Sequence, residues 1–396
     1  MNNAEFQNSP SGRLVPTVAG QMAFVPNPLP PKLDYANLVM PIAHSMQALG
    51  ELNAAGRAMA NPLLVIRPLQ RREALLSSSM EGTYTTANAL VLAEADVDLA
   101  VDSSTIEVRN YIRAFEAANR MRLELPISNR LIKETHRLLL EGVPSDRGAH
   151  KRPGEFKDQQ NFIGGRNRQI ESARFIPPPP REAEDAMAEL ERFVNRQDPN
   201  GMPPIVEAAL MHYQFETIHP FSDGNGRVGR ILIPIFLMQA GILESPLLYI
   251  SPAVEGRKDD YVDLMLAVSR DGAWTPWITF FLEMVINACN ATSATIAELE
   301  IVRQDFRQRI LDAAGSARLM TIVDELFVSP VISIPRIAEA VSVTYTAARN
   351  MVDRLLELEI LDEVDGTSNP KLFICWKIVD LSEGRPTTTP NGPPTT

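Results

Sequence analysis

The run ILIPIFLMQAGIL, Ile231 to Leu243, is the longest apolar stretch in the chain. A membrane-spanning helix needs about 20 apolar residues. This run is shorter and carries Pro234 and Gln239, so it predicts a helix buried inside a protein core. The 396 residues, 45% hydrophobic and 22% charged, are enough for two or three domains with such a core.

The segments around it read as helices. YANLVMPIAHSMQALGELNAAGRAM places Leu38, Ile42, Met46 and Leu49 at helical spacing. QRREALLSSSMEGT predicts a second helix, closed by Gly82. TIEVRNYIRAFEAANRM, SNRLIKETHRLLLEG (with Ser128 as its N-cap), REAEDAMAELERFVN, PIVEAALMHYQFETI and WTPWITFFLEMV continue the pattern. Between them NFIGGRNRQIESARFI predicts a β-hairpin around a Gly-rich turn, stopped by Pro177 to Pro180. SIPRIAEAVSVTYTAARNMVDRLLELEILDEVDGTSNPKLFIC reads helix, turn, helix and two strands, the order of a winged helix.

The fold class is therefore mainly α with a small β-hairpin. The expected divisions are a disordered or extended tail over 1–30, a helical segment over 31–115, a core over 116–300, a winged-helix-like domain over 301–380 and a disordered tail over 381–396. The net charge of -11 argues against broad nucleic-acid binding. Cys289 and Cys375 have neither a CxxC nor a zinc spacing, and the polar N-terminus has no apolar leader. A reducing, cytoplasmic setting without a membrane anchor is the expectation.

HPFSDGNGRVGR, His219 to Arg230, links two of these helices. Its glycines let backbone N–H groups approach a ligand at a helix start, where those groups lack intrahelical partners and the dipole favours an anion. Arg227 and Arg230 share a helix face and add charge toward the same anion. Asp223 beside a phosphate site suits a divalent cation such as Mg²⁺. His219 titrates near neutrality and suits a general base. The pattern describes nucleotidyl or phosphoryl transfer.

The stretch resembles, without a gap, the HxFx(D/E)GNGRxxR motif of the Fic family, at His219, Phe221, Asp223, Gly224, Asn225, Gly226, Arg227 and Arg230. RPGEFKDQQNFIGG…FIPPPP resembles that family's flap, LYISP…GRKDDYVDLM and GAWTPWITFFLEMV its later core, and EALLSSSMEGT its N-terminal segment, covering about residues 32 to 290. The resemblance implies a helical Fic core that uses ATP and Mg²⁺ to move AMP onto a Ser, Thr or Tyr hydroxyl of a protein. It implies His219 as general base and Asp223 as the Mg²⁺ ligand. Gly224, Asn225 and Gly226 cradle the inner phosphates, and Arg227 and Arg230 meet the outer ones. Phe221 anchors the loop. Asn161, Phe162, Ile163 and Gly164 belong to a flap that docks a target segment by main-chain pairing. The family's adenine-pocket Tyr-Tyr pair is matched by Tyr261 but not by Val262.

Ser77-x-x-x-Glu81-Gly82 resembles the family's inhibitory motif (S/T)xxxE(G/N), in which Glu81 pairs with Arg230 and blocks a productive ATP pose. An acid in the last turn of a helix opposes the dipole and so needs a partner. In the C-terminal module Arg349, Arg354 and Tyr345 suit DNA contact, but Asp353, Glu357, Glu359, Asp362, Glu363 and Asp365 oppose phosphate. Protein contact, including a homodimer, is preferred there to DNA binding. The expected partners are protein targets, with self-modification among them. Alternatives are AMP removal with Glu81 positioning a water, transfer of another nucleotide or phosphate-bearing group, and a DNA-binding regulator whose Fic core senses nucleotide.

Overall fold

The computed structural model describes residues 1–59, 61–95, 101–143, 152–164, 169–197, 201–365, 367 and 370–384. The chain opens with α1 (Asn3–Phe6), β1 (Gly12–Pro16), β2 (Met22–Pro26), α2 (Val39–Ala58), α3 (Leu63–Ser79), α4 (Ala87–Glu94), α5 (Ser103–Met121) and α6 (Asn129–Leu139). It continues with α7 (Pro180–Val194), α8 (Pro204–Ile218), α9 (Asn225–Gln239), α10 (Ser251–Glu255), α11 (Lys258–Asp271) and α12 (Trp274–Asp312). It closes with α13 (Ala317–Val328), β3 (Val331–Ser333), α14 (Ile334–Ala340), α15 (Tyr345–Glu357), β4 (Asp362–Glu363), β5 (Leu372–Ile374) and α16 (Trp376–Glu383). The fold is mainly helical, as the periodicity predicts. No helix among the described residues is long and apolar enough to cross a membrane.

Two compact units emerge, and they interleave in sequence. One holds residues 1–53, 76–82 and 110–289; the other holds 54–75, 83–109 and 290 onward. Residues 54–75 and 83–109, expected with the N-terminal segment, group with the C-terminal part. Sequence texture misses this because α2, α3, α5 and α12 are long enough to contribute residues to both units.

The first unit is built on α8 and α9. Every α8 residue from Ile205 to Ile218 is buried, as is α9 from Asn225 to Met238. That matches the apolar run that predicted a buried helix, and α9 continues past Pro234 to Gln239. Trp277 of α12 donates its indole N–H to the Ala209 carbonyl at 3.0 Å, tying α12 to α8. Ser128 caps α6, its Oγ accepting from the Leu131 N–H at 3.4 Å.

Residues 1–30, expected as a disordered or extended tail, form α1 and an antiparallel β1–β2 hairpin registered Gly12↔Pro26 to Pro16↔Met22. The cause is aromatic: Phe6, Phe24 and Phe175 are buried together, with ring centroids 5.6 to 6.0 Å apart. The Phe24 N–H also donates to the Ile176 carbonyl at 2.9 Å. Three phenylalanines outweigh the Asn, Ser and Pro that suggested an unfolded tail.

Among the described residues, the predicted hairpin NFIGGRNRQIESARFI shows one antiparallel bridge, Ile163↔Phe175, with a 3-10 turn at Ile170–Ser172 leading into Phe175. Its turn, residues 165–168, lies outside the described residues.

In the second unit, α14, α15, β4 and β5 run in the order helix, helix, strand, strand that the sequence suggests, while α13 and β3 precede them, and the sheet order is β3-β5-β4. Val331, Leu372, Ile374 and Val379 share a core with Ala87 and Val91 of α4. The expected tail over 381–396 begins inside α16, and residues 385–396 lie outside the described residues.

Candidate active site

The α8–α9 turn holds the residues that the sequence singles out, His219 to Arg230. At the end of α8, His219 takes a left-handed conformation, φ 48° and ψ 59°. Gly224 takes another, φ 73°, as the N-cap of α9. A Cβ at Gly224 would add strain and sit 3.2 Å from Leu139 Cδ2. Asn225 stitches the turn from inside: Oδ1 accepts from the Phe221 N–H and Nδ2 donates to the Phe221 carbonyl, both at 2.8 Å. The Asn225 side chain thus shapes the loop from within, at the start of α9. Phe221 is fully buried and stacked on His136, with centroids 3.8 Å apart and planes 8° from parallel, an anchor as expected.

His219 Nδ1 lies 3.3 Å from the Glu216 carbonyl, which can only accept. Nδ1 therefore carries the proton and Nε2 keeps its lone pair. Burial, then the positive charge of Lys157, pulls His219 down to about 4, so its imidazole is neutral at physiological pH. Asp223 is positioned by a second histidine. The Gly154 N–H donates to His136 Nδ1 at 2.9 Å, so His136 Nε2–H donates to the Asp223 carbonyl at 3.0 Å. Burial holds His136 near 4, which preserves that tautomer. The Asp223 carboxylate is 31% exposed, accepts from its neighbour Gly224 N–H at 2.7 Å and lies 3.7 Å from Arg227. No group of three or more His, Cys, Asp or Glu suited to a metal occurs among the described residues. One hard carboxylate beside the N-terminus of α9 nevertheless fits Mg²⁺, which takes few protein ligands and completes its shell with phosphate and water.

Arg230 is buried and engaged by the end of α3. Nε donates to Ser77 Oγ and Nη2 to the Ser77 carbonyl, both at 2.8 Å, and Nη2 reaches Glu81 Oε1 at 2.9 Å. Burial would raise the Glu81 carboxyl, but the charge and hydrogen bond of Arg230 outweigh it and hold Glu81 below the usual carboxylate range. Gly82 ends the segment at φ 82°. Lys258 Nζ donates to the Met80 carbonyl at 2.6 Å and steadies the same turn. A Cβ on Gly226 would fall 2.1 Å from Glu81 Oε1, so the carboxylate sits directly against the first turn of α9.

A cavity of about 240 Å³ adjoins this pair, with Glu81, His219, Gly226, Arg230, Tyr261 and Val262 among its walls. The Tyr261 hydroxyl is committed elsewhere, 2.7 Å from His212 Nε2, so its ring is what faces the cavity. Glu216 also lines the space, and burial pushes its carboxyl up to about 8. Ile163 and Phe175 of the flap form another wall, and Arg174 pairs with Asp263 of α11. Asn161 does not present its side chain as a docking group: Nδ2 donates to the His219 and Phe221 carbonyls, each at 3.0 Å. Phe162 and Gly164 stay at the flap edge, half-buried and exposed.

A model of the Fic/DOC family matches residues 126–237, and one of the Fic/DOC family N-terminal region matches residues 39–120. The chain carries a Fic/DOC-family domain. Curated relatives include the protein adenylyltransferase Fic of Drosophila grimshawi, 30% identical over 208 residues, which are 50% of this chain and 38% of the relative. That of Drosophila ananassae is 33% identical over 165 residues, 39% of this chain and 30% of the relative. The chain thus spans less than half the length of these Fic relatives. Among solved structures, a Fic family protein from Desulfovibrio desulfuricans G20 aligns over 88% of this chain and 98% of its own, with a TM-score of 0.55 at 19% identity. A Fic-domain signaling protein from Bacteroides thetaiotaomicron VPI-5482 covers 65% of this chain and 97% of its own, with a TM-score of 0.50 at 19% identity. These two likenesses establish a Fic fold.

Sequence reading missed His136 and Lys157. Both act on main-chain carbonyls of the Fic loop from far away in sequence, 87 residues for His136 to Asp223 and 62 for Lys157 to His219. Neither leaves a motif. The sequence signals that come closest are the helical face of SNRLIKETHRLLLEG and a lysine in an otherwise Gly- and Pro-rich stretch.

Proposed function

We propose that this chain is a protein adenylyltransferase held off by Glu81. The observation that carries the reading is the shared use of one arginine. Arg230 points to the N-terminal end of α9, where a polyphosphate would lie, and its donors are bound by Ser77 and Glu81. In the transfer step the target hydroxyl gives its proton to His219 Nε2 while its oxygen attacks the α-phosphorus of ATP. The bond to the β-phosphate breaks and pyrophosphate leaves. The N–H groups at the start of α9 and Arg227 stabilise the phosphate charge, with Arg230 joining them once Glu81 withdraws. Asp223 would hold Mg²⁺, which supplies charge neutralisation on the phosphates. A bound polyanion raises the pKa of a nearby imidazole, moving His219 from about 4 toward the working pH.

The test is AMP transfer from labelled ATP. Glu81→Gly is expected to raise it by about tenfold or more, since a brake of only ~1.4 kcal/mol already has that effect. His219→Ala in the same background is expected to lower it by about 10²- to 10⁴-fold. Unchanged transfer in a folded Glu81→Gly protein would sink the brake. Transfer surviving His219→Ala would favour a nucleotide-sensing role over an enzymatic one.

For the C-terminal module we infer a winged-helix-like domain for protein contact, self-association included. Arg354, on the helix that would read DNA, donates to the Ala313 carbonyl at 3.2 Å and pairs with Glu357 at 2.5 Å, so its charge is used within the unit. A salt-dependent shift of duplex DNA by the full chain would reverse this assignment.

A further inference from the structure

Lys157 lies outside the motif, in the segment that leads into the flap, and its side chain is buried. Nζ donates to Asn161 Oδ1 at 2.7 Å, to the His219 carbonyl at 3.0 Å and to the Ile218 carbonyl at 3.2 Å. An ammonium has three N–H donors, and each has an acceptor here. The Lys157 backbone N–H donates to the Pro220 carbonyl at 2.8 Å. Asn161, gripped by Lys157, adds its own bonds to the His219 and Phe221 carbonyls. The carbonyls of four consecutive residues, 218 to 221, are thus held from one side by a single lysine–asparagine pair.

The end of α8 explains a cation at this point. The last carbonyls of a helix have no intrahelical donors and carry the negative end of its dipole. His219 is also a non-glycine residue at φ 48°, a conformation that persists only where its surroundings enforce it. We propose that Lys157 is a positioning residue for the transfer reaction: with Asn161 it fixes the left-handed turn that aims the His219 imidazole at the acceptor hydroxyl. The proposal rests on the transferase reading above.

Lys157 acts on the imidazole in a second way. The charged groups that bear on His219 are Lys157 from the flap side, Glu81 from the end of α3 and Asp223 from its own loop. Lys157 lowers the His219 pKa, whereas Glu81 and Asp223 raise it. Burial pulls Lys157 itself down to about 7, so its charge is present on the acid side of neutrality, where His219 titrates. Removing that charge moves the His219 pKa upward, and the acid limb of kcat/KM moves to higher pH with it.

The experiment uses the full chain with Glu81→Gly as the reference and follows AMP transfer across the neutral pH range. Lys157→Met is expected to lower kcat by about 10²-fold, the effect of misplacing a reacting group by an ångström. KM for ATP is expected to stay within about threefold, because no phosphate contact is lost. Its acid limb shifts upward, while Asn161→Ala lowers kcat and leaves the limb in place. If Lys157→Met does not fold, Lys157→Gln, which keeps a donor without the charge, carries the same comparison. A folded variant with unchanged kcat and pH profile, or with a loss confined to KM, overturns the proposal. Absence of transfer in Glu81→Gly itself would instead count against the transferase reading.

Discussion

At the scale of single residues, the proposed brake rests on three hydrogen bonds on one guanidinium, and they are unequal. Glu81 supplies charge, the Ser77 carbonyl is backbone, and the Ser77 hydroxyl is the one that substitution can remove alone. Ser77→Ala is expected to release AMP transfer by about two- to fivefold, in line with a bond worth ~0.5–1 kcal/mol, and below Glu81→Gly. A time course with labelled ATP ranks the two, and equal activation would mean that the hydroxyl is as important as the carboxylate. The residues of this pairing were legible in sequence because both ends lie in recognisable motifs. The inward turns of Asn225 and Asn161 were not, since each bonds to main-chain carbonyls, which look alike whatever their residue.

At the scale of elements, the N-terminus of α9 is shared ground. Gly226 leaves room for the Glu81 carboxylate, which a Cβ there would meet at 2.1 Å, and on the proposed reading for a phosphate in its place. Gly226→Ala is expected to push Glu81 off its seat yet fail to activate, because the methyl group occupies the same place. Calorimetric ATP binding should weaken by about tenfold in the Glu81→Gly, Gly226→Ala protein relative to Glu81→Gly alone, a difference of ~1.4 kcal/mol. The buried α8–α9 pair was legible because both helices are apolar almost throughout. The N-terminal hairpin was not: its stability comes from Phe175, some 150 residues away from Phe24 in the chain. Phe24→Ala is expected to cost about 3–5 kcal/mol of local stability. Hydrogen exchange at residues 173–176 reads this as lost protection, and unchanged exchange there would show that the flap stands without the hairpin.

At the scale of the whole molecule, three buried histidines bias stability against acid. Burial pulls His136 and His219 to about 4 and His212 to about 3, while unfolded histidine titrates near 6.5. Between those values the unfolded chain binds protons that the folded chain refuses. Stability therefore falls as pH drops through that window, by up to about 1.4 kcal/mol per pH unit for each histidine. Glu216, raised to about 8, acts in the opposite sense, since the folded state keeps a proton that the unfolded state releases above about 4.5. Three groups against one leave a net loss on acidification. Denaturant melts at pH 7 and pH 5 check this, and an unchanged midpoint would mean that the histidines are not buried neutral in solution. Composition could not foretell it, because a histidine's titration depends on what covers it.

The hydrogen bond from the Phe24 N–H to the Ile176 carbonyl has a consequence for how a target reaches the flap. Antiparallel pairing at Ile163↔Phe175 gives the flap two outer edges. The chain's own β2 borders the Ile176 side. A target strand that joins the flap by main-chain pairing then has the Phe162 and Gly164 edge to join, next to the cavity that holds His219. On the proposed docking reading, β2 thus leaves a foreign strand one flap edge instead of two, without touching that strand.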